Sequence, residues 1–189
     1  ISTKFSIIMA KDKLKDILID ADVVSHFIAG GQGILLNKIF SNKIIILDKD
    51  YDELKRHKAK AKEIDNLFNF GILHQVSFPT SHQEMYREYL HIKKVMFKGD
   101  GESACLAYVK HTDDIIGSSN LRDVKEYCKM HSIELLSTMD FLCEALKKCI
   151  LSMQQCDDFI SKVLAAKSKL PVTKMKDYKC RCQVVIYWK

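Results

Sequence analysis

The sequence predicts an α/β protein in which helices cover both faces of a mainly parallel central sheet, a three-layer α/β/α sandwich. Short, continuous apolar runs, typical of strands buried on both faces, alternate with longer segments of helical pattern. That alternation favours parallel strands, because a crossover helix joins each strand to the next. The 189 residues are 47% hydrophobic and contain two prolines and seven glycines, so no linker is visible. We expect one domain over residues 1–189, with its core at about 15–170.

The first half of the chain contains three of the predicted strands. A glycine cluster at 30–33 interrupts the first helical segment, and it lacks the Lys-Ser/Thr pair that a phosphate-binding loop requires. A capping box, Ser81-His82-Gln83-Glu84, predicts the start of a later helix. The predicted elements are a strand at 17–19, helices at 23–29 and 34–40, a strand at 43–47, a helix at about 51–70, a short strand within 72–78 and a helix from the capping box to about 97.

The second half continues the alternation and ends in a basic tail at 171–189. Cys180, Cys182, Val184 and Ile186 alternate with other residues, which predicts an edge strand more readily than a zinc site, since a lone Cys-x-Cys lacks a second ligand pair. The predicted elements are helices at 102–110 and 121–131, strands at 115–118 and 133–137, and helices at about 139–150 and 153–169.

Composition limits the compartment and the kind of partner. Seven scattered cysteines, an odd number, argue against a disulfide framework and for a reducing cytoplasm. The apolar runs are shorter than a membrane span, and we expect no signal peptide and no membrane association. A net charge of +6 suits a polyanionic partner, although a lysine-rich solvated surface would give the same value.

Acidic residues recur where this architecture would bring them together. Asp20 and Asp22 follow the first strand, Glu53 follows the second, and Glu102 begins a predicted helix. Each has a structural alternative, because Asp50 to Glu53 fits a capping box and Glu102 would stabilise a helix N-terminus. The carboxyl ends of parallel strands meet at one edge of a sheet, where α/β proteins bind ligands. We therefore expect an acidic pocket that holds a divalent cation.

Several motifs, in this order and spacing, resemble those of PIN-domain ribonucleases. The segment Gly99-Asp100-Gly101-Glu102-Ser103-Ala104-Cys105-Leu106-Ala107-Tyr108 is similar to the Gly-Glu-x-x-Ala-x-x-Ala helix of that family. Ile17-Leu18-Ile19-Asp20-Ala21-Asp22-Val23 resembles its first strand and acid, and Tyr51-Asp52-Glu53-Leu54 its second acidic motif. Leu135-Leu136-Ser137-Thr138-Met139-Asp140-Phe141-Leu142 is similar to the strand and apolar helix that end the family's fold. The resemblance covers residues 15–170.

The resemblance implies a Mg²⁺- or Mn²⁺-dependent endonuclease that cleaves single-stranded RNA. Members of this type are often the toxin of a toxin–antitoxin pair, so it also implies an antitoxin protein as partner and a homodimer. Asp20, Glu53 and Glu102 would be catalytic, and Asp20, Asp22 and Glu102 would contribute metal ligands. The cation would lower the pKa of the attacking water and neutralise charge on the phosphate.

One departure from the family concerns the end of the strand at 115–118. PIN proteins usually carry another acid there, whereas this chain has Ser118-Ser119-Asn120. Asn120 can offer an oxygen to a metal without a negative charge. Asp123, one helical turn later, would substitute if it points inward, and is otherwise an exposed helix-start residue. The departure puts activity in doubt more than the fold.

Cations near the predicted pocket are candidates for binding RNA. Lys55, Arg56 and Lys58 begin the densest basic run, which extends to Lys62, and Lys98 and Arg122 are second candidates. Contacts from these residues to phosphates would give affinity without sequence preference. The alternative is a solvated helix face. No aromatic pattern indicates a platform for base stacking.

Two other functions fit parts of the same pattern. Asp20-Ala21-Asp22-Val23 also matches the opening motif of haloacid-dehalogenase-type phosphatases, and Ile115–Asn120 resembles their second motif. That family needs acids after a later strand, and 133–137 ends in Ser-Thr instead. The other alternative is a catalytically weakened PIN-like module that binds RNA or docks a protein.

Overall fold

Five short parallel strands form one central sheet in the computed structural model, which describes residues 14–56, 58–96 and 99–181, the Asp123 side chain excepted. The strand order is β3-β2-β1-β4-β5, and every neighbouring pair is parallel. The strands are β1 (Ile17–Ile19), β2 (Ile44–Leu47), β3 (His74–Val76), β4 (Ile115–Gly117) and β5 (Leu135–Leu136). The predicted α/β class with a parallel sheet is confirmed.

Helices connect the strands and cover both faces of the sheet. The helices of the described chain are α1 (Ala21–Ala29), α2 (Leu36–Ile39), α3 (Asp48–Lys55), α4 (Lys58–Asn69), α5 (Gln83–Val95), α6 (Asp100–Thr112), α7 (Leu121–Met130), α8 (Thr138–Lys147) and α9 (Met153–Ala165), with short 3₁₀ turns at Gly33–Leu35 and Met175–Asp177. None of them is long and apolar enough to cross a membrane.

Two hydrophobic cores lie on opposite faces of the sheet, because successive strand residues point in opposite directions. Ile17 and Ile19 of β1 belong to one core, with Phe27, Phe141 and other residues from α1, α4, α8 and α9. Leu18 belongs to the other core, which α5, α6 and α7 complete. Burial of both faces explains why the strands are continuous apolar runs instead of alternating patterns.

The sheet has a topological switch point between β1 and β4. From β1 the chain adds β2 and β3 on one side, and it then crosses to add β4 and β5 on the other. Ile19 pairs with Gly117 across this boundary, and a Cβ on Gly117 would lie 2.8 Å from the Ile19 side chain. The glycine therefore allows the last residues of β1 and β4 to pack closely at the edge where α/β sheets bind ligands.

Two local predictions about helices were wrong. The long helix expected at about 51–70 is two helices, and the first of them begins at Asp48, directly after β2. The N-cap of α5 is His82, whose Nδ1 accepts a hydrogen bond from the Met85 N–H at 3.2 Å, so Ser81 does not cap this helix. A ring nitrogen supplies the same acceptor that a serine hydroxyl would supply.

One disulfide bond is present, although the odd number and scatter of the cysteines argued against a disulfide framework. Cys143 on α8 is bonded to Cys180, 37 residues later, while Cys105, Cys128, Cys149 and Cys156 are free. Arg181, next to Cys180, donates from Nε to Asp140 Oδ1 at 2.9 Å. Both contacts fasten residues 180–181 to α8. The strand predicted over 180–186 lies largely outside the described residues, as does Cys182.

Candidate active site

Acidic side chains from α3, α6 and α1 with its N-cap line one pocket at the switch point. The pocket has a volume of about 160 Å³. Its described lining residues are Asp20, Ala21, Asp22, Asp50, Glu53, Gly99, Glu102 and Asn120. Five of these eight residues are acids, and they follow β1, follow β2 or begin α6; the sequence predicted all of them except Asp50. The structure therefore brings Asp20, Asp22, Glu53, Glu102 and Asn120 together.

Asp20 is the most deeply placed acid whose role the sequence predicted. It is the N-cap of α1, and its Oδ1 accepts the Val23 N–H at 2.8 Å. The side chain also bonds to Ser118, and the residue is 7% exposed. Burial raises the pKa of Asp20 to about 8, although the hydrogen bonds to Ser118 and Val23 act to lower it. The charges of Asp22 and Asp50 raise this pKa further. A neighbouring cation would therefore stabilise the charged form of this acid at the end of β1.

Asp50 is a member of the pocket that sequence reasoning missed. It is 2% exposed on α3, where its Oδ1 accepts the Ala21 N–H at 3.3 Å and its Oδ2 accepts the Cys105 thiol at 3.1 Å. Burial raises its pKa to about 6, with smaller contributions from Glu53 and Glu102. The capping box considered as the structural alternative for Asp50 to Glu53 is not formed, because α3 already begins at Asp48. The signal was its spacing from Glu53, since residues three apart share a helix face.

Gly101 explains how Asp50 fits against α6. A Cβ at this position would lie 2.6 Å from Asp50 Oδ1 and 2.9 Å from its carboxyl carbon. The carboxylate thus packs against the backbone of the first turn of α6, beside Glu102. The Gly-Glu pair of the sequence motif has a steric origin in this chain: the glycine admits a carboxylate from α3, and the glutamate faces the same pocket.

The remaining predicted acids lie nearer the solvent. Asp22 and Glu53 are exposed at the pocket, and Glu102 is half-buried. Glu102 Oε1 accepts a hydrogen bond from Asn120 Nδ2 at 3.0 Å. The amide thus presents its donor side to a carboxylate, where an acid at the same place would have added negative charge. Asp123 lies on α7, but its side chain is not among those described.

A second set of contacts fixes the N-terminus of α6, which carries Glu102. Asp100 accepts from Lys49 Nζ at 2.9 Å and from the Tyr89 hydroxyl at 2.5 Å, and it also pairs with Lys93. These partners hold the pKa of Asp100 well below its usual value, although burial acts in the opposite direction. Three donors from α3 and α5 thus hold the first turn of α6 in place.

A polar cluster beside the pocket was not predicted from the sequence. His26 Nδ1 lies 2.9 Å from Thr138 Oγ1, which lies 2.6 Å from Ser119 Oγ. Burial lowers the pKa of His26, with Asp22 opposing the change and Lys60 adding to it. Ser119 precedes Asn120, so these contacts fix the loop that follows β4. Three residues so distant in sequence left no local signal.

None of the described cations that were predicted to bind RNA lines the pocket. The described lining residues include no lysine or arginine. Lys55, Arg56, Lys58 and Arg122 are all exposed, and Lys55 Nζ lies 4.8 Å from the centre of the Tyr51 ring. Lys98 lies outside the described residues. These positions leave the prediction that they bind RNA untested.

The donor set suits a hard divalent cation, although the carboxylates are not gathered around a point. Carboxylate and amide oxygens are the ligands that Mg²⁺ prefers, and two buried acids with raised pKa values gain from a cation. Within the described ranges, however, no group of three or more His, Cys, Asp and Glu side chains is arranged to hold a metal ion. A cation would have to draw these carboxylates closer together.

Comparisons with known proteins add no family assignment. A scan against protein-family models finds no match, and a search of curated proteins finds no similar sequence.

Proposed function

We propose that this protein is a PIN-like, divalent-cation-dependent endoribonuclease that cleaves phosphodiester bonds of single-stranded RNA. The observation that supports this most strongly is the meeting of Asp20, Asp50, Glu53 and Glu102 in one pocket at the switch point. Three of these four acids were predicted from separate segments of the sequence. A structural role for each acid alone would not require them to face the same 160 Å³ volume.

The residues of the pocket differ in burial, which suggests a division of roles. Asp20 and Glu102, supported by Asp22, would hold a Mg²⁺ or Mn²⁺ ion, and Asn120 would contribute an amide oxygen after its side chain turns. The ion would lower the pKa of the attacking water and offset charge on the phosphate oxygens. Glu53 is exposed at the pocket and can accept a proton from that water. Asp50 is held by Ala21 and Cys105, so its role is to shape the pocket.

A second candidate is an RNA-binding module that does not cleave. The contact between Asn120 Nδ2 and Glu102 Oε1 favours it, because an amide donor satisfies a carboxylate that a nuclease would use for its cation. The two candidates differ in one measurable property. A nuclease needs a divalent cation for turnover, whereas a binding module needs only the phosphates of RNA and basic side chains.

The decisive experiment is a cleavage assay on a single-stranded oligoribonucleotide with Mg²⁺ or Mn²⁺, and again with EDTA. Asp20→Asn and Glu102→Gln should lower kcat/KM by at least about a hundredfold, because they remove the charge that holds the cation. Glu63→Gln, an exposed acid on α4, is the matched control and should cleave like the parent. Cleavage that persists in EDTA would contradict the proposal.

The variant Asn120→Asp separates the two candidates. It restores the acid that PIN proteins usually carry after this strand and removes the donor to Glu102. A parent that binds RNA without cleaving it, together with an Asn120→Asp variant that cleaves, would identify a weakened nuclease. If both bind and neither cleaves at millimolar Mg²⁺ or Mn²⁺, the binding module is the better description.

The toxin role and its partners extend the same proposal. An antitoxin that blocks the pocket would abolish cleavage, and a homodimer would place two pockets in one particle. Expression of the parent should then arrest growth, and expression of Asp20→Asn should not, at equal protein levels. Sedimentation of the purified protein tests the dimer independently of activity.

A further inference from the structure

Lys60 differs from the other buried or half-buried lysines of the described chain in its partner. Four described lysines are buried or half-buried: Lys15, Lys49, Lys60 and Lys110. Three of them pair with a carboxylate, on Asp113, Asp100 and Glu88 respectively. Lys60 Nζ instead donates to the Ser25 hydroxyl at 3.0 Å, and no carboxylate of the described residues forms an ion pair with it.

The hydrogen bond between Lys60 and Ser25 contributes little to stability if its only role is to join two helices. Holding an ammonium partly out of water costs free energy that a neutral hydroxyl offsets less well than a carboxylate does. A Lys–Ser hydrogen bond between α4 and α1 is therefore a weak way to join two helices that already pack through Ile64 and Leu67. An ammonium with two unused donors is, in contrast, well suited to an anion.

The position of Lys60 connects it to the acidic pocket. Ser25 lies three residues after Asp22 on α1, and Asp22 lines the pocket. Residues three apart share a helix face, and one turn advances about 5.4 Å along the axis. The charges of Lys60 and Asp22 shift the pKa of His26, the residue after Ser25, in opposite directions. A positive group thus lies one turn from the negative pocket.

We propose that Lys60 binds a non-scissile backbone phosphate of the single-stranded RNA, with Ser25 as the positioning residue that orients its ammonium. This inference rests on the proposed function. It adds that the contact with Lys60 fixes the position of the RNA strand relative to the acidic pocket. The scissile phosphate would lie at the acidic pocket, and a neighbouring phosphate would lie against Lys60, one turn along α1. The distance between the two groups then decides which bond of a bound strand is cleaved.

Another cation of the basic run, Lys62, serves as an internal control. Lys62 is exposed on the same helix, two residues away, so it lies on a different face from Lys60. Replacing either lysine by glutamine removes one positive charge from the same helix. A difference between Lys60→Gln and Lys62→Gln therefore reports the position of the charge and not the net charge of the protein.

The first measurement is binding of a single-stranded oligouridylate in the cleavage-impaired Asp20→Asn background, without divalent cations. Lys60→Gln should weaken binding about tenfold and reduce the slope of log K against log salt concentration by about 0.7, the value for one phosphate of a single strand. Lys62→Gln should change affinity less than about twofold. Lys60→Arg should retain most of the affinity, and Ser25→Ala should lose a smaller part than Lys60→Gln.

The second measurement locates the phosphate. A series of oligouridylates, each with one uncharged methylphosphonate linkage, should bind the Asp20→Asn protein more weakly when the neutral linkage occupies one particular position. That sensitivity should vanish in the double variant Asp20→Asn with Lys60→Gln and persist with Lys62→Gln. In the cleaving parent background, Lys60→Gln should raise KM and leave kcat within about threefold, since it removes binding to a phosphate that does not react.

The outcomes separate this inference from the proposed function. If Asp20→Asn binds no oligouridylate and the parent cleaves none, the proposed function fails and the subsite fails with it. If RNA is bound or cleaved but Lys60→Gln and Lys62→Gln give the same affinity and methylphosphonate profile, only the role of Lys60 is refuted. Equal melting temperatures of the two lysine variants exclude misfolding as the cause of a difference.

Discussion

The acids at the two ends of the central sheet lie in opposite electrostatic environments. At the amino-terminal end, Asp113 pairs with Lys15 at 2.9 Å, and Asp114 accepts the Asp16 N–H at 2.9 Å. At the carboxyl end, Asp20 and Asp50 lie among other acids, and burial raises the pKa of both. The first arrangement stabilises the fold. The second arrangement costs stability, and buried acids with raised pKa values are typical of functional sites.

This difference predicts that Asp-to-Asn substitutions have opposite signs at the two ends. Neutralising an acid whose pKa is raised in the folded state should increase the free energy of unfolding. Neutralising an acid that pairs with a buried lysine should decrease it. Of the three predictions that follow, Asp20→Asn and Asp113→Asn test this contrast directly, and Gly101→Ala tests how Asp50 is packed. Each uses unfolding free energies measured in EDTA so that metal binding does not enter.

Asp20→Asn should give the largest effect and should stabilise the protein. The folded pKa of about 8 lies above the unfolded value near 3.8, so the parent's folded state binds more protons and its stability falls between about pH 4 and pH 8. Each pH unit in that window is worth about 1.4 kcal/mol, and relaxation of the site should keep the total to about 2–4 kcal/mol. Asn preserves the N-cap, because its side-chain oxygen can also accept the Val23 N–H.

The pH dependence of this difference is what makes the test specific. Urea denaturation at pH 4 should give nearly equal stabilities for Asp20→Asn and the parent, and the advantage of the variant should grow as the pH rises to 8. A constant difference over that range would mean that packing, and not ionisation of Asp20, distinguishes the two proteins.

Gly101→Ala should give the next effect, a loss of about 1–3 kcal/mol, because the new methyl group would meet the Asp50 carboxylate at 2.6 Å. Gly99→Ala is the matched control, since a Cβ there meets no atom of the described residues within 4 Å. Combining Gly101→Ala with Asp50→Ala should recover part of the loss through a favourable coupling energy. Strict additivity of the two substitutions would show that Asp50 and Gly101 do not contact each other.

The sequence predicted the parts of this site that depend on local pattern. Continuous apolar runs located β1, β2 and β4, and the position of an acid after a strand or at a helix start located Asp20, Glu53 and Glu102. The sequence did not identify Asp50, because its role depends on the Ala21 N–H and the Cys105 thiol, which come from other elements. Contacts between distant segments leave no periodic trace in a single sequence.

The same limit explains the other misses. The disulfide joins Cys143 to Cys180 across 37 residues of separation, and nothing in the spacing of seven cysteines selects that pair. His82 replaced Ser81 as the N-cap of α5 because its ring nitrogen lies where the Met85 N–H needs an acceptor. Neighbouring residues with similar hydrogen-bonding ability are hard to rank without the backbone path that tertiary packing imposes.

Asp113→Asn, at the amino-terminal end, should give the smallest effect, and its sign should be opposite to that of Asp20→Asn. Asp113 is 69% exposed, so its own loss of charge costs little, but Lys15 is 7% exposed and would lose its carboxylate partner. Asn tolerates the left-handed backbone of this position, with φ at 58°, so the substitution adds no strain. We expect a loss of about 1 kcal/mol by urea denaturation at pH 7. Lys15→Met removes the buried charge itself, so the double variant with Asp113→Asn should recover the lost stability. If Asp113→Asn alone stabilised the protein, the contrast between the two ends of the sheet would not hold.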